Sequence, residues 1–132
     1  MDKKLFNQLL TLCKKMEKSN KIINRDIILN VGGVYLIKNK QNKKIEYVGK
    51  AKDLKRRINN HVSRGESKST SVFRRKISKK IGIKDGNRLG RYISTNYDFY
   101  ILEIDNPDMR SLIESLLIYK FRKNNFLLND IK

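Results

Sequence analysis

Two tripeptides, GVY at 33–35 and YVG at 47–49, constrain the fold more than any other feature of this chain. They occupy the two ends of the segment GVYLIKNKQNKKIEYVGK, in which β-favouring residues flank the polar stretch KNKQNKK. This pattern is typical of a β-hairpin whose turn lies in the polar stretch. Gly33 and Gly49 then lie at the outer ends, where close backbone approach or an unusual φ favours glycine.

The segments around the hairpin predict helices and one more strand. Residues 3–18 repeat apolar side chains with the period of an amphipathic helix. Asp53 is a good N-cap for a helix through Leu54 and His61, and the segment STSVFRRKISKK predicts a second short helix.

The second half of the chain continues the mixed pattern. The segment GIKDGNRLGR predicts a glycine-rich loop, and YDFYILEI (97–104) predicts a third strand. Asn106 as cap and Pro107 at the first helical position begin a long helix. The predicted order is α-β-β-α-α-β-α. We therefore expect an α/β (α+β) domain with a small three-stranded antiparallel sheet flanked by helices.

Charge narrows the class of partner. The chain of 132 residues, enough for one domain, carries 31 Lys and Arg against 13 Asp and Glu, a formal net charge of +18. A field of this sign attracts polyanions. Nucleic acid is the first partner to expect, with a membrane surface or an acidic protein as the alternatives.

Targeting features are not visible in the sequence. No segment approaches the ~20 apolar residues that span a bilayer, and the N-terminal segment lacks the uninterrupted apolar stretch of a signal peptide. The single cysteine, Cys13, excludes an internal disulfide and a thiolate metal cluster. We expect an intracellular, cytoplasmic protein with no membrane partner and no nucleotide cofactor. The oligomeric state does not follow from the sequence.

Five side chains of the sequence could together catalyse the cleavage of a phosphodiester bond. Arg57 and His61 stand one helical turn apart, so an anion-binding guanidinium and a group with an ordinary pKa of ~6.5 share a face. Tyr35 or Tyr47 could act as a general base or position a water, although both could equally be packing residues of the hairpin. Likewise, a solitary histidine is often only a surface or capping residue.

Glu114 is the fifth candidate. Its carboxylate lies on an otherwise apolar stretch of helix between Ile113 and Leu116, which suits a ligand for a hard divalent ion. The alternative is a salt bridge to Arg110 at i, i+4, worth about 0.3–0.5 kcal/mol on a helix surface.

Together these segments resemble a known family. GVY followed by YVG is similar to the paired motif that names the GIY-YIG nuclease superfamily, and KAKDLKRR resembles the same stretch in the N-terminal incision domain of UvrC excinuclease subunits. IESLLIYKFRKNNFLLND resembles the family's metal-binding helix with its downstream asparagine. The match runs from about Gly32 to Asp130. It implies a GIY-YIG nuclease-like catalytic domain over 30–132, with residues 1–29 as an N-terminal helical extension packed on it.

The resemblance also implies roles. It implies a divalent-metal-dependent DNA endonuclease that uses Mg²⁺ or Mn²⁺ and attack by water, with Glu114 as metal ligand. Tyr35 is favoured as general base and Tyr47 as a positioner of water or phosphate. Asn125, with Asn124 as the competing candidate, takes a structural role that ties the chain end near the site. The expected phosphate contacts are Lys50, Arg56, Arg74 and Arg75.

Two departures separate this chain from UvrC proteins. A tyrosine stands in UvrC where this chain has His61, whereas homing and restriction enzymes of the superfamily resemble it in pairing an arginine with a histidine four residues later. The chain ends at Lys132, so we expect a stand-alone catalytic module. The alternatives are a UvrC-like repair nickase acting on damaged or branched DNA and a catalytically silent DNA-binding module.

Overall fold

A computed structural model describes residues 3–17, 30–62, 71–123 and 127–130. The strands are β1 (Gly33–Asn39), β2 (Ile45–Ala51) and β3 (Tyr97–Glu103). The helices are α1 (Lys3–Glu17), α2 (Leu54–Val62), α3 (Val72–Ile81), α4 (Asn87–Asn96) and α5 (Pro107–Arg122), followed by a short 3₁₀ helix (Leu128–Asp130). None of the helices in the described ranges is long and apolar enough to cross a membrane.

The three strands form one antiparallel sheet in the order β2-β1-β3. Tyr35 in the central strand lies opposite Gly49 on one side and Ile101 on the other. The register of the hairpin shifts between Ile37 and Lys38, next to the polar turn. The predicted hairpin, third strand and α+β class are confirmed.

Alternation along β1 sends its side chains into two separate cores. Tyr35 and Ile37 pack in one core with residues of α2, α3 and α4. Val34 and Leu36 pack in the other, against residues of α5 and Leu9 of α1. Because helices cover both faces, the sheet is the middle layer of the domain, and its rigidity can hold side chains at the ends of the strands in place.

Two helix starts follow the local sequence. Asp53 Oδ1 accepts a hydrogen bond from the backbone N–H of Arg56 at 3.1 Å, one residue before α2 begins. Asn106 Oδ1 accepts from the N–H groups of Asp108 and Met109, and Pro107 opens α5. Both caps satisfy N–H groups that have no partner within the helix, as the sequence predicted.

The predicted loop GIKDGNRLGR is wrong over its second half, where α4 begins. Gly82, with φ of 72°, ends α3 in the left-handed conformation, and α4 starts directly after Gly86. Leu89 and Ile93, four positions apart, are both fully buried on one face of α4. The burial of this face overrides the low helix propensity of Gly90, because tertiary packing outweighs about 1 kcal/mol of propensity.

The N-terminal helix contacts the rest of the chain. α1 packs against α5 and β3, and Leu9 is fully buried there. Residues 18–29 lie outside the described ranges, so the division of the chain at residue 29 stays a prediction.

Candidate active site

Tyr35 lies at the centre of the site, and Gly49 makes room for it. The tyrosine is 1% exposed, and a Cβ added to Gly49 would collide with its ring and hydroxyl. A Cβ added to Gly33 would collide with the Leu102 carbonyl oxygen and the Leu54 side chain. Both glycines are thus required by close approach, and neither has a positive φ.

The Tyr35 hydroxyl is hydrogen-bonded to His61. The distance from Tyr35 Oη to His61 Nε2 is 2.8 Å, and His61 is 1% exposed. The other ring nitrogen, Nδ1, lies 2.7 Å from Ser71 Oγ. His61 is therefore a buried member of a polar chain, and the alternative of a surface or capping residue is wrong.

Burial also sets the charge of His61. Desolvation, and then the positive charges of Arg57 and Arg74, lower its pKa to about 3. The sequence alone suggested a group that titrates near neutrality. In the folded protein the imidazole is instead neutral throughout the physiological range, so it can accept one hydrogen bond and donate one.

The two tyrosines of the hairpin have different surroundings. Burial raises the pKa of Tyr35 well above the ordinary range of a phenol, the neighbouring Tyr47 and Glu114 raise it further, and Arg57 opposes them. Tyr47 is only half-buried. Its pKa is raised by burial and Glu114 and lowered by Arg57 and Arg75. Both phenols are thus protonated at neutral pH. The charges of Glu114 and Arg57 act on both of them.

Glu114 belongs to the same cluster. It is half-buried, and burial raises its pKa while the nearby charges of Lys50 and Arg57 lower it. Arg110, the alternative partner one turn earlier, donates instead to the carbonyl oxygens of Ala51 (2.9 Å) and Asp105 (3.2 Å). Its guanidinium is hydrogen-bonded to the end of β2 and not to Glu114. The charge of Glu114 acts on Tyr35 and Tyr47 instead.

A cavity of ≈ 560 Å³ opens beside this cluster. Lys50 Nζ donates to Ser111 Oγ at 2.8 Å across it, linking β2 to α5. Arg56 and Arg57 are exposed, as is Arg75 on α3. The lining residues are Lys50, Ala51, Lys52, Asp53, Arg56, Arg57, Asn60, Ser71, Pro107, Arg110 and Ser111. Of the predicted phosphate contacts, Lys50 and Arg56 line this cavity. Arg75 does not line it, but its positive charge lowers the pKa of Tyr47.

The prediction of Arg74 as a phosphate contact is wrong. Its side chain is fully buried and forms a salt bridge with Asp85. It also donates to the carbonyl oxygens of Gly86 (3.2 Å) and His61 (3.4 Å). Arg74 is a structural residue that ties the end of α2 to the start of α4. The partner Asp85 lies eleven positions away, so helical periodicity alone could not identify it.

The asparagine predicted near the chain end lies outside the described residues, since 124–126 include both Asn125 and Asn124. A different asparagine binds the hairpin. Asn129 Oδ1 accepts from the Val48 N–H at 2.9 Å, and its Nδ2 donates to the Val48 carbonyl at 2.7 Å. This pair of bonds fixes the outer edge of β2 next to Tyr47. The segment NFLLND contains Asn129, but no local pattern distinguishes it.

The acidic side chains set limits on a metal site. In the described parts of the chain, no group of three or more His, Cys, Asp or Glu residues could hold a metal ion. Glu114 is the carboxylate whose charge acts on both Tyr35 and Tyr47. This suits a Mg²⁺-like ion, which is commonly held by one or two carboxylates together with water and substrate phosphate oxygens.

Comparisons with known proteins agree with the geometry. The family model of the GIY-YIG catalytic domain matches residues 31–126. The chain is similar to UvrABC system protein C from Mycoplasma capricolum subsp. capricolum, with 35% identity over 108 residues that cover 81% of this chain and 15% of that protein. The same-named protein of Mesoplasma florum is 33% identical over 118 residues, 89% of this chain and 16% of the relative. The relative from Thermosipho africanus is 29% identical over 113 residues.

The chain belongs to the GIY-YIG family, because the family model matches most of its length. The expected GIY-YIG family and fold are confirmed. The chain spans only about a sixth of the length of these relatives, from 15% to 16%.

Proposed function

We propose that this domain hydrolyses phosphodiester bonds in DNA by attack of water, with Tyr35, Tyr47, Arg57, His61 and Glu114 as the catalytic residues. The observation that carries the proposal is the buried hydrogen bond of 2.8 Å between Tyr35 Oη and His61 Nε2. A phenol joined to a neutral imidazole can accept a proton from water while it passes its own proton on.

The raised pKa of Tyr35 favours this coupled transfer over a free phenolate. A phenolate would be costly in the buried site, because desolvation is the main cause of the shift. In the coupled transfer the water O–H bond breaks as its proton reaches Tyr35 Oη, and the original Tyr35 O–H bond breaks as that proton bonds to His61 Nε2. The water oxygen forms a bond to phosphorus, the P–O bond to the leaving oxygen breaks, and that oxygen takes a proton from solvent. Burial, Arg57 and Arg74 also disfavour the transient imidazolium, so the negative charge of a bound phosphate would have to offset that cost.

Arg57 supplies positive charge at the same place. Its charge lowers the pKa of Tyr35, Tyr47 and Glu114, so the guanidinium lies within range of all three groups. Developing charge on the phosphorus oxygens would be stabilised by such a preorganised cation. Lys50 and Arg56 in the cavity, and Arg75 on α3, would hold neighbouring phosphates without reading sequence.

Glu114 would hold the divalent ion, Mg²⁺ or Mn²⁺, together with water and phosphate oxygens. When bound, such an ion supplies Lewis-acid stabilisation of charge on the phosphate. The half-buried position and raised pKa of Glu114 support this role, since a neighbouring cation would stabilise a carboxylate that burial disfavours.

The relatives are named as components of the UvrABC system, and we propose DNA as the substrate here on that basis. A repair-type nickase is a narrower version of the same activity. A silent DNA-binding module is disfavoured, because all five side chains are present and each interacts with at least one of the others through a hydrogen bond or its charge.

Incubation of purified protein with supercoiled plasmid and Mg²⁺ or Mn²⁺ tests the proposal. We expect nicked or linear product from the wild type and none from Glu114→Gln, which should still bind DNA. The matched control is Glu103→Gln, an exposed carboxylate at the end of β3, which should cut normally. Cleavage by Glu114→Gln at the wild-type rate would remove Glu114 as the metal ligand. Absence of cleavage by the wild type, with intact binding, would support the silent module.

A further inference from the structure

We propose that Ser71 is a positioning residue of the active site, which holds His61 in the tautomer with its proton on Nδ1. In that tautomer Nε2 presents a lone pair to the Tyr35 hydroxyl. The inference rests on the proposed function for its catalytic consequence. The tautomer itself is a property of the protein without DNA.

The first step is the pairing of Tyr35. Its hydroxyl lies 2.8 Å from His61 Nε2, and the positive charge of Arg57 is close enough to lower its pKa. A guanidinium carries only hydrogen-bond donors, so Arg57 cannot receive the phenol proton. In the described part of the chain, His61 Nε2 is the acceptor at hydrogen-bond distance from this hydroxyl, so Tyr35 donates to it. Nε2 is therefore unprotonated.

The second step follows from the neutrality of the imidazole. With its pKa lowered to about 3, the ring carries one proton, and that proton must be on Nδ1 if Nε2 is a lone pair. Nδ1–H then donates to Ser71 Oγ at 2.7 Å. A hydroxyl oxygen has two lone pairs, and the second accepts the backbone N–H of Arg74 at 3.1 Å. The hydroxyl proton of Ser71 is left for another acceptor, and Ser71 lines the cavity.

The third step is the rigidity of Ser71. It is the N-cap of α3, only 5% exposed, so its oxygen is placed by the helix rather than by the histidine. The buried Arg74, in the first turn of α3, donates to the His61 carbonyl and so holds the end of α2 against the start of α3. It also donates to Asp85, just before α4. These contacts explain why a serine ten residues after His61, and separated from it by a connection, can fix the ring.

Direct measurement of the tautomer tests the proposal. His61 is the only histidine of the chain, so ¹⁵N–¹H correlation of the imidazole at pH 7 needs no assignment by mutation. We expect a protonated Nδ1 and an unprotonated Nε2 in the wild type. A wild-type ring with its proton on Nε2 would overturn the proposal whether or not the protein cleaves DNA.

Variants of Ser71 test the catalytic consequence. Ser71→Gly removes the hydroxyl while glycine costs an N-cap only a few tenths of a kcal/mol. We expect it to lose the single tautomer and to cleave about 10- to 100-fold more slowly in single turnover, with unchanged DNA affinity. This is the range known for partners that orient a metal-binding histidine through its other ring nitrogen. Ser71→Thr keeps the hydroxyl and should restore both the tautomer and most of the rate.

The outcomes separate the two proposals. If Ser71→Gly keeps both the wild-type tautomer and the wild-type rate, Ser71 is only a helix cap and the inference fails. If Ser71→Gly does not fold, the wild-type tautomer and the rate of Ser71→Thr still decide. If the wild type does not cleave DNA at all, the proposed function fails, and the imidazole spectrum alone supports or overturns the role of Ser71.

Discussion

Tyr35 and Tyr97 are both buried, and each donates a hydrogen bond to a side chain that can change its charge. The charges around the two tyrosines differ. Tyr35 pairs with the neutral imidazole of His61 at 2.8 Å, beside Arg57 and the cavity. Tyr97 donates to the carboxylate of Glu46 at 3.0 Å. A buried phenol with a strong partner is therefore not by itself a sign of catalysis.

The hydrogen bonds around Tyr97 form a second network, which is centred on Glu46. Glu46 is 4% exposed and also accepts from Asn39 (2.8 Å) and from Lys80 (3.3 Å). These bonds tie the hairpin to β3 and α3. Neither Glu46 nor any of its three donors lines the cavity, so this network does not reach the proposed site of the reaction. The first network, by contrast, ends at Ser71 on the wall of the cavity.

The largest expected difference is in the rate of cleavage. Tyr35→Phe should slow single-turnover cleavage by about 10²–10⁴, the usual cost of losing a general base. Tyr97→Phe removes the same atom from an equally buried ring and should leave the rate within about twofold. Equal losses in the two variants would contradict the assignment of Tyr35 to the chemistry.

Arg57, which lies beside Tyr35 and not beside Tyr97, provides a second test of the difference between the two networks. Arg57→Ala should lower the rate by about 10²–10³, because it removes a charge that stabilises the transition state. Combined with Tyr35→Phe, the loss should be smaller than the product of the single losses, since residues that act as a unit are not additive. Arg91→Ala, an exposed cation on α4, is the control. Fully multiplicative losses would indicate that Arg57 and Tyr35 act independently.

The low pKa of His61 predicts a dependence of stability on pH. Between the folded value of about 3 and the ordinary 6.5, the unfolded chain binds more protons than the folded one, so stability falls as pH falls below 6.5. From pH 7 to pH 4 the contribution is about 3 kcal/mol. Urea unfolding at several pH values measures it. His61→Gln should lose this part of the pH dependence, and an unchanged slope would mean that His61 is not buried in its neutral form.

The same shift predicts the pH profile of activity. Because His61 is neutral well below pH 6.5, no inflection near 6.5 should arise from its titration in the free enzyme. Single-turnover rates from pH 5.5 to 9 test this. An inflection near 6.5 that disappears in His61→Gln would show that His61 titrates at its ordinary value.

The smallest expected effect concerns the second network. Tyr97→Phe should reduce the free energy of unfolding by about 1–3 kcal/mol, because one hydrogen bond to the buried Glu46 is lost. Urea unfolding near pH 7 measures this, with Tyr119→Phe, whose ring is 60% exposed, as the control. A Tyr97→Phe variant as stable as the control would mean that water replaces the lost donor.

Local sequence determined much of the architecture. Alternating β-favouring residues around a polar turn gave the hairpin, and Asp53 and Asn106 marked the starts of α2 and α5, because these signals act between neighbouring residues. The spacing of Arg57 and His61 likewise placed both on α2. The paired tripeptides identified the family before any contact was visible.

Tertiary structure decided which polar groups are buried and what they pair with. Nothing local distinguishes the buried Arg74 from the exposed Arg75, since the difference depends on Asp85 from a later segment. Ser71 reaches His61, and Asn129 reaches Val48, across 10 and 81 positions of sequence. Burial then moved the pKa of His61 away from neutrality, because desolvation depends on everything that surrounds a side chain and not on its neighbours in sequence.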